Sequence, residues 1–514
     1  MEKSHLSEGS VDRSSTRPTP GVPGEDLLVL SNRQPYRHSY DDDGEGITVD
    51  APTGGLTAGL DAVMRQVNGT WIAWGDGDAD ASVVDDDDQV TVPPGESDGQ
   101  YSLKRLWLTD EQVDNYYYGF SNRVLWPICH SALTNVDGNA RFWDHYQGVN
   151  ERFADAVVDA ADARSAVWFH DYHLGLAAEM VQDRIPEGAF CIHTWHIPWP
   201  SWDVFRACPH GREVLRGMLG NDLVGFHVPR YCDNFLRCVS AALPEAHVDW
   251  ENRRVVHEQS VTTVRAFPMG VPADDINRQA KTPAAEKFWR DFSDTHGIGD
   301  GTKVGVGVDR LDYTKGIPQR IEAPERLWES SSQWRESFTY VQVGTETRSQ
   351  ITAYDDYQQR VEDAIDDVNE RFGTDDWQPI VYTTDYLADE ALYALYRFAD
   401  VAIVSPIRDG MNLVCQEYVA AQQDDDGVLV LSDQAGAHDE LHEWVMTINP
   451  HDTTAFKETI DEALSMPREE RRPRMDALRR HVATNDISTW IRTIFATVEA
   501  LREPTPKDQH HASV

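Results

Sequence analysis

Short apolar runs recur along the chain, each ended by glycine, proline or a charged cluster and separated from the next by a stretch with helical spacing. Leu27-Leu28-Val29-Leu30, Trp71-Ile72-Ala73-Trp74-Gly75, Ala166-Val167-Trp168-Phe169, Ala189-Phe190-Cys191-Ile192, Leu223-Val224-Gly225-Phe226 and Val261-Thr262-Thr263-Val264 form one series. Their continuous apolar character predicts strands buried on both faces, as in parallel sheets with helices above and below. A second series follows Pro268-Met269-Gly270-Val271-Pro272: Lys303 to Val308, Tyr340 to Val343, Pro379 to Tyr382, and Val401 to Val404 ahead of Pro406. The expected fold class is α/β, with two doubly wound units joined by a hinge at 268–272.

A length of 514 residues exceeds what one core usually supports. Residues 1–25, rich in Ser, Pro, Gly and charge, read as a flexible leader. The expected units are 26–272 and 273–484, followed by a helix over 485–502 and a polar tail, 503–514.

Open α/β sheets bind ligands beyond the carboxyl ends of their strands, so the residues that follow the apolar runs are the candidates. Arg33, in Ser31-Asn32-Arg33, suits an anion. Thr53-Gly54-Gly55-Leu56 opens a helical pattern, a place for phosphate but more often a simple turn. In His170-Asp171-Tyr172-His173 no third ligand set completes a metal site, and Asp171 reads as a hydroxyl acceptor. Prolines leave His196 at a sheet edge. Arg310 and Lys315 share one loop and can neutralise a diphosphate leaving group in place of a metal. Arg348 ends another strand. The aromatics Tyr116-Tyr117-Tyr118 and Leu125-Trp126-Pro127 fit core packing and sugar stacking equally.

The stretch from Arg408 to Glu417 reads as strand, loop and helix start. Amides from Gly410 through Met411 and Asn412 to Leu413 would be free donors at the positive end of a helix, suited to a diphosphate. Glu417 lies about 7 Å further along the axis, placed for ribose hydroxyls. His438-Asp439-Glu440-Leu441-His442 spaces two histidines as metalloproteases do, but Asp439 stands where the general-base glutamate belongs.

Asp and Glu number 87 against 46 Lys and Arg, a net charge of −41, and only eight lysines occur. Such a surface suits a cytoplasm at very high salt, and it excludes nucleic acid as an expected partner. Abundant aromatics (16 Trp, 18 Tyr, 16 Phe) argue against a disordered acidic chain. Six cysteines without a C-x-x-C pair fit reduced thiols in the cytosol. No signal core or membrane span is expected.

Taken together, Ser31-Asn32-Arg33, Gly54-Gly55-Leu56, Phe120-Ser121-Asn122, Leu125-Trp126-Pro127, His170-Asp171-Tyr172-His173, His196-Ile197-Pro198, Arg310-Leu311-Asp312-Tyr313 with Lys315-Gly316, and Arg408 to Gln422 resemble the trehalose-6-phosphate synthase family, in order from about residue 27 to 500. The resemblance implies a GT-B fold, two Rossmann-like domains facing a central cleft, with the last helix crossing back to the first domain. It implies retaining transfer of glucose from a nucleotide-glucose to glucose-6-phosphate, without metal or other cofactor. Arg33, Tyr117, Trp126, Asp171 and Arg348 would hold glucose-6-phosphate, with Trp74 nearby. Gly54, Gly55, Arg310, Lys315, the loop Gly410-Met411-Asn412 and the amides of Leu413, Val414, Cys415 and Gln416 would hold the donor, with Glu417 on its ribose. Asp409 and His196 would contact the donor glucose, and Trp126 with Ile197 would shape the choice of acceptor anomer. His196, Arg310, Lys315 and Asp409 form the implied catalytic set.

Two departures bear on the donor base. Leu387-Ala388-Asp389 stands where the family carries F-D-R, and Gln416 replaces a lysine, so UDP-glucose is the default with ADP- and GDP-glucose open. A glucosylglycerol-phosphate synthase using glycerol-3-phosphate and a non-catalytic sugar-phosphate sensor are the alternatives. A homo-oligomer is compatible with the sequence.

Overall fold

The computed structural model describes residues 26–502 apart from 42, 45, 52–54, 68, 97 and 98. Two sheets carry the fold. The first has ten strands in the order His247–Asp249, Arg254–His257, Ser260–Ala266, Leu223–Phe226, Phe190–Thr194, Ala166–His170, Leu27–Arg33, Gly69–Trp74, Tyr101–Leu106, Gln89–Val92. Neighbours are parallel from Ser260–Ala266 through Tyr101–Leu106 and antiparallel at both edges. The second has six parallel strands in the order Ile380–Thr383, Phe338–Thr345, Lys303–Arg310, Val401–Val404, Val428–Ser432, Met446–Ile448.

Strand period explains why the apolar runs are continuous. Leu27 and Val29 point into one cluster with Trp71, Trp168 and Ile192, while Leu28 and Leu30 point into the opposite one with Val167, Phe169 and Val224. In the second sheet Val304, Val306, Val341 and Val343 face one core, and Phe338, Tyr340, Val401 and Ile403 face the other. Both faces are covered, so neither can be polar.

Within its run of parallel strands each sheet has one point where strand order reverses. In the first, Leu27–Arg33 lies between Gly69–Trp74 and Ala166–His170; in the second, Lys303–Arg310 lies between Phe338–Thr345 and Val401–Val404. Crevices open at such points. Arg33 and Asp171 therefore stand at one crevice, and Arg310, Lys315 and Asp409 at the other.

The helix Ile487–Arg502 packs on the first sheet, although the helix before it, Arg468–Thr484, packs on the second through Met475, Leu478 and Val482. Its buried stripe, Ile487, Trp490, Ile491, Ile494, Phe495 and Val498, has the helical spacing that a single apolar face requires. Trp490 lies 5.6 Å from Trp168, ring to ring. Three carbonyls of the link between sheets are taken up in turn: Phe267 by the Trp490 indole N–H (3.0 Å), Met269 by the Gln416 amide (3.0 Å) and Val271 by the Ile487 N–H (3.2 Å). Gly270 is needed here, because a Cβ would run into the Asn485 carbonyl.

Several elements go beyond the sequence reading. Tyr101–Leu106 alternates buried and half-buried residues, and Val428–Ser432 is fully buried. Val113–Leu125 is a π-helical stretch, with the Trp126 N–H reaching back to the Ser121 carbonyl. Its wide turns bury Tyr116, Tyr117 and Phe120 together, which the clustered aromatics had left undecided between core and site.

Candidate active site

A cleft of about 600 Å³ lies between the two sheets, lined from the first by Arg33, Tyr117, Trp126, Asp171, His196 and Ile197, and from the second by Arg310, Lys315, Arg348, Leu387, Asp409, Leu413 and Glu417. Trp74 stands behind this wall with its ring 6.1 Å from that of Tyr117. Gly54 lies outside the described residues, and Gly55 begins the helix Gly55–Met64, whose Thr57 and Leu60 reach the cleft.

The loop after Lys303–Arg310 is held by its own aspartate. Asp312 accepts from the Thr314 N–H (3.0 Å) and hydroxyl (2.9 Å) and faces Arg348 at 3.4 Å. Burial would raise its carboxyl, but Arg348, Arg310 and the Thr314 amide outweigh that and hold it below the usual carboxylate range. Arg348, at positive φ, donates to the hydroxyls of Tyr354 (2.6 Å) and Tyr172 (3.1 Å) and stacks 4.1 Å over the Trp126 ring. Tyr172 in turn donates to Asn122 at 2.8 Å, which gives Phe120-Ser121-Asn122 its place in the site.

Arg33 and Arg348 converge on Tyr117. Burial raises the phenol, yet the two guanidiniums overcome it and bring its pKa down to about 8. The Arg33 side chain has only a 3.5 Å contact with that hydroxyl, and the Arg310 side chain makes no hydrogen bond or ion pair among the described residues, its guanidinium lying 5.5 Å from the Trp126 ring. Two guanidiniums from opposite sides of one cleft, neither in an ion pair with a carboxylate among the described residues, form a receptor for anions.

Lys315 is paired with Asp409 at 2.5 Å, and Asp409 also accepts from Asn412 at 3.1 Å. Burial opposes both charges; the ammonium lowers the carboxyl and the carboxylate raises the ammonium, so the pair stays ionised. Asn412, at φ 78°, turns back to cap the helix Val414–Ala421, accepting from the Cys415 N–H at 3.2 Å. That spends the Cys415 amide, and the Gln416 N–H bonds the Leu413 carbonyl, whereas the Leu413 and Val414 amides donate to nothing among the described residues. The Cys415 and Met411 side chains are buried, and the Gln416 side chain faces the Met269 carbonyl. Gly410 packs against the backbone of His196 and Ile197, where a Cβ would collide with the His196 carbonyl.

Asp171, at φ 69°, accepts from the His196 N–H at 3.2 Å, and burial pushes its carboxyl up to about 6. Glu417 is raised further, to about 7, by burial that the Tyr396 hydroxyl at 3.3 Å only partly offsets. Tyr386, Leu387 and Asp389 line the same cleft as Glu417. No group of three or more His, Cys, Asp or Glu side chains among the described residues is arranged to hold a metal ion. His438 spends Nε2 on the Thr447 hydroxyl. Sequence reasoning gave no role to Asp312, Tyr172, Tyr354 and His227; Asp312 and Tyr172 stood inside the quoted motifs, beside Arg310 and Asp171, whereas nothing marked Tyr354 or His227.

Two mainly parallel α/β sheets facing one another across a cleft lined by four arginine or lysine and four carboxylate side chains define a glycosyltransferase of GT-B architecture. The chain belongs to glycosyltransferase family 20, whose model matches residues 25–500. A Mycolicibacterium gilvum (strain PYR-GCK) protein named trehalose-6-phosphate synthase is 35% identical, over 98% of this chain and 99% of its own. A solved structure from E. coli, described as bound with UDP-2-fluoro glucose, is 29% identical with a TM-score of 0.81, covering 94% of this chain and 100% of that one. Another, an alpha,alpha-trehalose-phosphate synthase (UDP-forming) from Burkholderia xenovorans in complex with glucose-6-phosphate, is 29% identical with a TM-score of 0.80, over 93% and 100%.

Proposed function

We propose that the protein transfers glucose from a nucleotide-glucose, UDP-glucose by default, to glucose-6-phosphate with retention, giving α,α-trehalose 6-phosphate. The observation that carries this is the pair of guanidiniums, Arg33 and Arg310, on opposite walls of one cleft, neither in an ion pair among the described residues. An acceptor phosphate suits the group around Arg33, Tyr117 and Arg348. A donor diphosphate suits Arg310, Lys315 and the Leu413 and Val414 amides, and the two cations fill the role of a metal ion there.

In this scheme the diphosphate draws the Lys315 ammonium away from Asp409, freeing that carboxylate for hydroxyls of the donor glucose. The leaving diphosphate takes the acceptor proton as the new bond forms on the same face. Catalysis rests on positioning and charge. Every residue invoked comes from one chain, so the scheme serves a monomer or a homo-oligomer. Six free, buried cysteines and no helix among the described residues long and apolar enough to cross a membrane support a cytoplasmic setting.

The test offers UDP-, ADP- and GDP-glucose separately with glucose-6-phosphate or glycerol-3-phosphate, in molar KCl, with products read by mass. A disaccharide phosphate supports the proposal and names the base, and chelator should leave the rate unchanged. Glucosylglycerol phosphate alone, or binding of sugar phosphate without turnover, overturns it.

A further inference from the structure

Three histidines run in file from the cleft wall inward, His170 and His196 lining the cleft, His170 and His227 buried and His196 half-buried. His170 Nδ1 lies 3.0 Å from His196 Nε2, and His196 Nδ1 lies 3.3 Å from His227 Nε2. His227 Nδ1 lies 3.3 Å from the Phe267 carbonyl, which also receives the Trp490 indole N–H. A carbonyl oxygen offers only lone pairs, so His227 Nδ1 must carry a hydrogen. Burial pushes His170 and His196 well below their ordinary value and His227 down to about 4, so each ring is neutral and has one hydrogen to place.

The rest follows by counting. With Nδ1 protonated, His227 Nε2 is bare and accepts from His196 Nδ1–H; His196 Nε2 is then bare and accepts from His170 Nδ1–H. His170 Nε2 is left as a buried lone pair without a partner among the described residues. One carbonyl at the start of the link between sheets thus sets the tautomer of three rings. It is not the form that a free imidazole side chain prefers, which carries its hydrogen on Nε2.

We propose that His227 and His170 are positioning residues that lock the His196 ring in the Nδ1–H form and in one orientation at the cleft. Neither nitrogen of His196 is spare, so His196 acts through the place and shape of its ring and not as a general acid or base. Its backbone carries the same order across the cleft: the N–H bonds Asp171 and the carbonyl abuts Gly410. Locking this ring therefore fixes where the loop bearing Asp409 can sit. The proposal rests on the reading that this cleft holds the donor sugar.

The full chain labelled with ¹⁵N-histidine gives the first test, through long-range proton–nitrogen correlations, with His170→Phe, His196→Phe and His227→Phe each removing one pattern for assignment. All three rings are expected as neutral Nδ1–H forms; His196 protonated on Nε2 overturns the proposal. This readout needs no turnover, so its failure is separable from failure of the transferase reading. Kinetics give the second test. His227→Leu is expected to lower kcat at least about tenfold with less than about twofold change in the acceptor KM. His227→Gln, whose amide both donates and accepts, should recover most of the rate. Equal loss in both variants overturns the proposal in favour of packing alone.

Discussion

At the scale of the residue, environment decides what each charge can do. Glu417 shows this most plainly, since burial raises its carboxyl to about 7. Ribose hydroxyls donated to it favour the ionised form, so donor binding should lower its pKa. The sign follows: donor affinity rises as pH rises through about 7, and binding near that pH releases protons. Calorimetry in buffers of different ionisation enthalpy should show this release and Glu417→Gln should abolish it; proton uptake would contradict the ribose assignment. Lys315 offers a second check. Lys315→Ala is expected to cut kcat by about two to three orders of magnitude while the acceptor KM moves less than about threefold. Similar losses in both would remove Lys315 from the donor side. Some of this was legible in advance. Arg33 and Arg310 follow apolar runs that could only be buried strands, and strand ends are where ligands sit. The pairing of Lys315 with Asp409 was not, because 94 residues separate them and only the folded second sheet brings their loops together.

At the scale of the element, the donor loop is built on a buried ion pair. Arg320 meets Asp309 at 2.7 Å and donates to the Ile403 carbonyl at 2.8 Å, with neither charged side chain appreciably exposed. It ties Lys303–Arg310 to Val401–Val404, the two strands that flank the second crevice. Arg320→Leu strands the Asp309 carboxylate and should cost about 3–5 kcal/mol in chemical denaturation at fixed salt. A loss below about 1 kcal/mol would show that the pair is dispensable. Elements with continuous apolar runs could be read from sequence, and the stripe of Ile487–Arg502 could be read as a helix. The π-helical turn at Val113–Leu125 could not, since its width answers to the rings it packs against. Nor did Gln416 announce that its side chain reaches the Met269 carbonyl on the link between sheets.

At the scale of the whole molecule, a net charge of −41 opposes compaction unless salt screens it. The screening length falls from about 10 Å at 0.1 M salt to about 3 Å at 1 M. The midpoint of thermal unfolding should therefore climb by more than about 5 °C between these conditions, equivalent to roughly 5 kcal/mol at this size. A flat or falling midpoint would show that buried contacts alone set stability. The two sheets are joined by one link and by the helix that returns from the second to the first, so the cleft keeps its shape through Trp490 and the carbonyls of Phe267, Met269 and Val271.

The central claim is that this cleft joins a donor glucose to a sugar phosphate on the face the nucleotide leaves. Proton NMR of the anomeric region tests it most directly, with the full chain in high salt, UDP-glucose and glucose-6-phosphate. Paired α-anomeric signals of a disaccharide phosphate are the expected result. A β-linked product, or free glucose released with no disaccharide while the chain remains folded, would contradict it.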